Sequence, residues 1–311
     1  MPLLSISDKT QMDEMKPFVS PFLALFQPLV IILNFKSMKN FKYIVLSVLV
    51  ALSFSACEEV IDVNLNTAKP KLVIDASLKW EKGSDGANQT INLSTTTGYF
   101  DTEIPTVSGA TVFVTNSTDV VFEFIESDTN PGAYICTNFI PVLNETYTLT
   151  VIENGSTYTA SDQLFPVPVI DKIEQKDDGG FGGGNIEIKF FYTDDGSRDD
   201  YYLFKAKLEK YVREYSVSSD EFYQGNQIFS IYSNDAIKSG QKLDFTLSAI
   251  SEGYFNYMQV LLSVAGNSGG GPFQSEPATV RGNIVNNTDI DNYALGYFSV
   301  SETTSTIYTV Q

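Results

Sequence analysis

Histidine is missing altogether from the 311 residues, and cysteine occurs only twice. Without imidazole, His-based triads, His-ligated metals and proton shuttles working near neutral pH are excluded. Basic residues are scarce, 20 against 38 acidic ones, which leaves a formal charge of −18. Nucleic acid is bound by Lys and Arg neutralising its phosphates, so a surface this negative is expected to have no nucleic-acid partner. Solubility is the simplest use for the charge. Aromatic and aliphatic residues are not scarce: 43% hydrophobic and 13% aromatic suffice for real cores and exclude wholesale disorder. The length suits about two domains of ordinary size.

Long apolar runs are also missing. Residues 18–35 are apolar but broken by Pro21 and Pro28, and residues 44–54 form an eleven-residue run too short to span a bilayer core as a helix. That short run follows the basic stretch Met38-Lys-Asn-Phe-Lys42 and precedes the small residues Ser55 and Ala56 and then Cys57. Charged, apolar, then small is the layout of a secretory signal peptide, expected here over residues 38–56. A cysteine at the cleavage point can take a diacylglyceryl group on its thiol. The ending resembles a bacterial lipobox, with Phe54 where leucine is usual. The competing reading is an ordinary signal that happens to end near a cysteine. Residues 1–37 then read as an extension upstream of a true start at Met38, or alternatively as part of a longer membrane-inserted leader. Four of the five methionines fall within residues 1–38, which supports a boundary there. Residues 1–56 hold five basic and three acidic residues, so the mature chain has 15 basic against 35 acidic. With Cys57 acylated, Cys136 has no disulfide partner and reads as a small half-buried hydrophobe within residues 133–137.

Residues 57–68 are polar and acidic and read as a tether. From there the pattern has period two. Leu72, Ile74, Ala76, Leu78 and Trp80 share a face, as do Val112 and Val114, and Tyr147, Leu149 and Val151. Residues 120–125 are β-branched and aromatic, and Glu153-Asn-Gly-Ser156 is a hairpin turn. About seven short strands with turns between them predict a sandwich over residues 69–165. Phe165-Pro-Val-Pro-Val-Ile170 reads as a stiff linker, because proline prefers extended backbone and donates no ladder hydrogen bond. A second β-rich domain is expected over residues 166–311. Its strands carry Ile186 to Tyr192, Tyr202 to Leu208 and Leu243 to Ala249, with closing strands over residues 294–300 and 306–310. Between them Tyr254, Tyr257, Met258, Leu261, Leu262 and Ala265 recur at three and four. They predict one amphipathic helix over 251–265, with Ser251 as its N-cap and Gly266 as its stop. The fold class expected is therefore mainly β: two sandwich-like domains, the second with one helix.

Residues with site-like chemistry are few. Asp177-Asp-Gly-Gly-Phe-Gly-Gly-Gly184 is a flexible loop and not a phosphate cradle, since no lysine follows closely. Asp194, Asp195, Asp199 and Asp200 form the densest carboxylate group and could supply oxygens to calcium. The spacing misses the helix–loop–helix calcium motif and Arg198 lies inside it, so a solvated hairpin loop is the expectation, with metal: none. Paired carboxylates could in principle hydrolyse glycosides, but among 35 acids spacing singles out no pair. Tyr201, Tyr202, Tyr254 and Tyr257 could stack on ligands or pack in cores. The end loops 83–88, 177–184, 194–200 and 267–273 are the candidates for recognition.

Several segments together resemble a family of outer-membrane lipoproteins from Bacteroidetes-type bacteria, the domain-of-unknown-function family 4249. They are Cys57-Glu-Glu-Val-Ile-Asp62, Lys71-Leu-Val-Ile-Asp-Ala76, Val107-Ser-Gly-Ala-Thr-Val112, Pro131-Gly-Ala-Tyr134 and Glu145-Thr-Tyr-Thr-Leu149, then Pro277, Arg281-Gly-Asn-Ile284 and Leu295-Gly-Tyr-Phe-Ser-Val-Ser301. The middle segments also look like the regulatory sandwich beside carboxypeptidases and receptors. The resemblance implies a lipid-anchored outer-membrane protein, here through Cys57, with no established activity and a gene often neighbouring a TonB-dependent receptor; no cofactor is expected. Glu58 and Glu59 resemble the acidic signal that sends such lipoproteins to the cell surface. Gly282 and Gly296 read as turn residues needing positive φ. The function expected is a non-catalytic accessory partner of a TonB-dependent transporter, not an enzyme, with its ligand unassigned. The alternative is a carboxylate-dependent surface hydrolase of glycan or peptide.

Overall fold

The computed structural model describes Tyr43 and residues 69–98, 101–180, 182–266 and 280–311. Residues 1–37, the signal 38–56 apart from Tyr43, Cys57, Glu58, Glu59 and the rest of the tether, and the loop 267–273 lie outside the described residues. No described helix is long and apolar enough to cross a membrane.

Seven strands open the described chain: β1 (Leu72–Glu81), β2 (Gln89–Thr95), β3 (Thr111–Asn116), β4 (Val121–Glu126), β5 (Ala133–Cys136), β6 (Thr146–Glu153) and β7 (Ser156–Gln163). They lie in the order β1-β2-β5-β4-β3-β6-β7, every neighbouring pair antiparallel. The period-two residues turn inward together: Ile74, Ala76 and Leu78 meet Ile91, Leu93, Val112, Val114, Phe122, Phe124, Leu149 and Val151 in one core. Burying each such side chain contributes about 1.5–3 kcal/mol. Asn154 and Gly155 close the β6–β7 hairpin with φ of 45° and 76°, the left-handed pair a two-residue turn requires. Cys136 is fully buried, and its thiol donates to Asn138 Oδ1 at 3.2 Å.

The second core lies between two sheets. One holds β8 (Ile170–Gly179), β9 (Asn185–Thr193) and β12 (Gln227–Ser233). The other holds β10 (Tyr201–Leu208), β11 (Glu214–Ser219) and β13 (Lys242–Ile250). Phe190 on β9 stacks on Phe245 of β13 with centroids 3.8 Å apart, and Ile188, Tyr192, Tyr202, Phe204 and Leu247 fill the space around them. Helix α1 (Glu252–Gly266) covers the other face of β10 and β13, where Phe255 and Met258 meet Leu203 and Ile250. Ser251 caps it, its hydroxyl accepting the Tyr254 N–H at 3.2 Å. Strand β10 is therefore buried on both faces, which is why it reads as a nearly continuous apolar run.

After a two-residue strand β14 (Val285–Asn286), the chain ends in one long strand, β15 (Leu295–Thr309). Its first half pairs with β1 in parallel, Val73 opposite Leu295 through Glu81 opposite Thr303. Its second half pairs with β13 antiparallel, Ser248 opposite Thr303 through Lys242 opposite Thr309. The two closing strands expected from sequence are thus one. The polar stretch Ser301 to Ser305 does not break it, because the surroundings satisfy its polar groups. Glu302 accepts from Lys82 and from the Val167 N–H, and Glu81 accepts from Thr303 and Ser305. Chain position and core membership part company here: Ile284, Ala294, Phe298 and Val300, all beyond the linker, complete the first core, while Val310 joins the second. The architecture is mainly β, a large curled sheet with a small second sheet and one described helix.

Candidate functional site

The linker between the cores is held from both sides. Val167 is buried and its N–H donates to Glu302 Oε2 at 2.8 Å, while Lys82 Nζ donates to the Val167 carbonyl at 2.9 Å and to the same carboxylate oxygen at 3.0 Å. From the second core, Arg198 Nη2 donates to the Pro166 carbonyl at 3.2 Å. Two prolines leave few backbone donors in this segment, so its carbonyls serve as the handles.

Arg198 belongs to a buried carboxylate cluster. Asp194 follows β9, Asp200 precedes β10 and Asp220 follows β11, so three strand ends converge. The three residues are 5%, 3% and 2% exposed, and one carboxylate oxygen of each lies within 4.8 Å of the others. Asp194 accepts the Tyr202 hydroxyl at 2.6 Å and the Gly225 N–H at 2.9 Å. Asp220 accepts the Asp200 N–H at 2.9 Å. Asp200 Oδ1 accepts from Arg198 Nε at 2.7 Å, but its Oδ2 is buried and has no partner among the described residues. Burial, with the neighbouring carboxylates adding to it, pushes Asp200 and Asp220 above the usual carboxylate range. Burial also raises the Tyr202 phenol, and its hydrogen bond to Asp194 adds to the effect. A cavity of about 260 Å³ adjoins the cluster, lined by Pro166, Val167, Thr193, Asp195, Arg198 and Tyr202 among others.

This corrects the sequence expectation of a solvated hairpin loop. Asp195 and Asp199 are at the surface, where Asp195 accepts the Ser197 N–H and Asp199 the Gln224 amide. Asp194 and Asp200 turn inward instead and meet Asp220, which no sequence spacing marked. The β10–β11 register, with Tyr201 opposite Ser219, brings Asp220 beside Asp200. The pairing of distant strands made the cluster, and local composition could not announce it.

A second concavity, about 430 Å³, is lined by Asn256, Tyr257, Val260, Arg281, Asn283 and Tyr297. Tyr297 lies 4.8 Å from Tyr254 and 4.7 Å from Tyr257 between ring centroids, so these aromatics pack chiefly on one another. Tyr201 packs on Phe255 in the same manner. Beside the cleft, the Arg281-Gly-Asn-Ile284 and Leu295-to-Ser301 segments interlock. Asn283 brackets Phe298, its Nδ2 donating to the Phe298 carbonyl at 2.9 Å and its Oδ1 accepting the Phe298 N–H at 2.9 Å. Gly296 has the expected positive φ of 98°, and a β-carbon there would overlap the Ile74 carbonyl. Gly282 is explained differently: its φ is not in the left-handed region, but a β-carbon would overlap the Gly296 carbonyl oxygen. The glycine is there for close approach. These segments are joinery between β1, β15 and the loop before β14.

Asp162 completes that joint. It sits on β7, 7% exposed, accepts the Val300 N–H at 2.9 Å and is pushed up to about 6 by burial. Elsewhere the outward face of β3, β4 and β5 carries Phe113, Val121, Ile125 and Ile135, with Ile125 65% exposed. The end loop 83–88 packs Gly86 against Trp80 and Pro141, and of residues 177–184 the first three extend β8 before the turn begins.

No curated protein sequence matches the chain. Among solved structures, a cytokine receptor complex matches at 9% identity, covering 77% of this chain and 96% of that one, with a TM-score of 0.23. A DUF4785 family protein from Legionella pneumophila matches at 9% identity over 57% of this chain and 50% of that one, TM-score 0.24. A two-domain fibronectin type-III segment of chicken tenascin matches at 14% identity over 58% and 91%, TM-score 0.20. Likeness at that level does not define the fold, which rests on the strand pairing itself. One family profile covers most of the sequence, residues 58–307, taking in both cores, the linker, the carboxylate cluster and the glycine joint. The chain belongs to the family described as a domain of unknown function, DUF4249.

Proposed function

We propose that this protein is a lipid-anchored, non-catalytic binding and assembly protein of the outer membrane, working beside a TonB-dependent transporter. The observation that carries the binding role is the aliphatic strip on the outer face of β3–β4–β5. Val121, Ile125 and Ile135 are 51%, 65% and 38% exposed on adjacent strands, with Phe113 beside them and Glu123 among them. Contiguous exposed apolar surface marks a contact for another protein, whereas single exposed aliphatics do not. Anchoring is supported by the basic, apolar and small residues that lead to Cys57, and a second acyl chain would make the attachment stable where one is marginal. Glu58 and Glu59 support delivery to the cell surface. The transporter comes from the family resemblance alone.

A photo-crosslinking residue placed at Ile125 in intact cells tests the reading. The expected product contains a TonB-dependent receptor in excess over abundant porins, and Cys57→Ala releases the protein from the membrane and abolishes the product. Membrane retention of Cys57→Ala would sink the anchor. A crosslink to no receptor, with turnover of a glycan or peptide by the purified protein, would overturn the non-catalytic role in favour of a hydrolase.

A further inference from the structure

Outside that role, the buried carboxylate cluster has a geometry that proteins rarely keep without a use. We propose that Asp194, Asp200 and Asp220 form a binding site for a hard divalent cation of the calcium class, placed against the Pro166–Pro168 linker. Within it Asp200 Oδ2, an ionisable oxygen in a side chain 3% exposed, has no hydrogen-bond partner among the described residues. Leaving such an atom unsatisfied is costly, and more so for a charged group. A cation among the three acids removes that cost.

The distances fit. Calcium holds oxygens at about 2.3–2.6 Å, so two ligands on opposite sides of one ion stand roughly 4.6–5.2 Å apart. The three carboxylates each place an oxygen within 4.8 Å of the others. Charge fits as well: three carboxylates against the single guanidinium of Arg198 leave an excess that one divalent ion neutralises. The donor set is all oxygen, which favours calcium or magnesium over zinc and copper. Three carboxylates leave positions for water from the adjoining cavity. Calcium, which tolerates irregular coordination, suits a site assembled from three strand ends better than magnesium, which demands a near-ideal octahedron. Arg198 does not compete for the centre, because it binds Asp200 Oδ1 and the Pro166 carbonyl at the edge. The ion would therefore stiffen the segment that joins the two cores.

The full chain, solubilised in detergent and stripped with a chelator, is titrated with calcium, magnesium and terbium. Terbium replaces calcium and emits when excited through a nearby tyrosine, here Tyr202, whose hydroxyl lies 2.6 Å from Asp194. Tyrosine-sensitised emission is expected, with displacement by calcium at lower concentration than by magnesium. Calcium at ten times its dissociation constant is expected to raise Tm by about 3–6 °C. Asp200→Asn and Asp220→Asn should each weaken binding about tenfold or more, and the exposed Asp177→Asn, away from the cavity, by less than about twofold. If neither aspartate variant folds, the wild-type Tm shift and emission decide alone. Absence of both up to about 10 mM calcium overturns the site and leaves a shared proton as the explanation for the cluster. Equal loss in Asp177→Asn also overturns it, since binding would then be diffuse surface attraction.

Discussion

Both cores are built from alternating strands, yet they treat buried charge in opposite ways. In the first, Asp162 takes the Val300 N–H, and Glu302 takes Lys82 together with the Val167 N–H. Each buried carboxylate there ties segments more than a hundred residues apart. In the second, Asp200 keeps an oxygen without a partner among the described residues, beside two further acids. A satisfied buried charge fixes one arrangement of the chain, while an unsatisfied one weakens it and persists where something else is gained. The difference separates the parts that specify the fold from the part that can take a ligand.

The contrast breaks most completely at the glycine joint of the first core. Gly296→Ala sets a β-carbon on a backbone with φ of 98° and into the Ile74 carbonyl. The expected loss is about 4 kcal/mol or more, seen as a collapse of the cooperative urea transition. A loss below about 1 kcal/mol would mean that the β1–β15 contact yields easily and specifies little.

A smaller effect, of opposite sign, is expected in the second sandwich. Lys205 on β10 is 8% exposed, and burial, with Lys79 adding to it, pushes its amine down to about 7. The folded chain then binds this proton less tightly than the unfolded chain, so stability rises with pH between about 7 and 10.5. Lys205→Met should flatten that rise and raise stability at pH 7 by on the order of 1–3 kcal/mol. An unchanged pH profile would place the ammonium in water and narrow the contrast to the acids alone.

Asp162 provides the next test, in the other pH range. Its folded value near 6 lies above the ordinary 3.8, so the folded chain holds the proton more tightly, and stability falls as pH rises from about 4 to 6. Asp162→Asn keeps an acceptor for the Val300 N–H and loses the titration. Urea midpoints between pH 4 and 6 should show a slope lower by on the order of 1–2 kcal/mol across the window. An identical slope in wild type and variant would assign it to other acids.

The smallest effect belongs to the surface strip. Ile125→Thr should leave stability within about 0.5 kcal/mol, since the side chain is 65% exposed, while reducing crosslinking to the proposed receptor. Equal capture would move the contact elsewhere on the molecule.

Where one face of a strand is buried and the other wet, alternation alone identified the faces, as with Ile74, Ala76 and Leu78. The three-and-four spacing of Tyr254, Tyr257, Met258 and Leu261 likewise placed the helix within one residue of its observed Glu252–Gly266 span. Besides the two-residue β14, three strands escaped notice for physical reasons. Strand β8 carries register shifts between Ile170 and Lys172 and between Lys176 and Gly179, which interrupt the period, and its end resembles a loop because of Asp177, Asp178 and Gly179. Strands β11 and β12 are short and largely exposed, so little burial shaped their residues. The candidate site was half visible. Asp194 and Asp200 stood out as a dense acidic stretch, but their burial depends on β11 delivering Asp220, a fact of strand pairing with no local signature.

The last strand also governs when the protein can be finished. Leu295 pairs with Val73, 222 positions earlier, and the first core is sealed only when Phe298 and Val300 arrive. Contacts so distant along the chain form slowly, because a long loop must close before they return any stabilisation. A ribosome must therefore release the chain at least as far as Val300 before β1 can settle into its final pairing. Until Phe298 and Val300 arrive, the face of β1 that carries Ile74, Ala76 and Leu78 lacks part of its final cover.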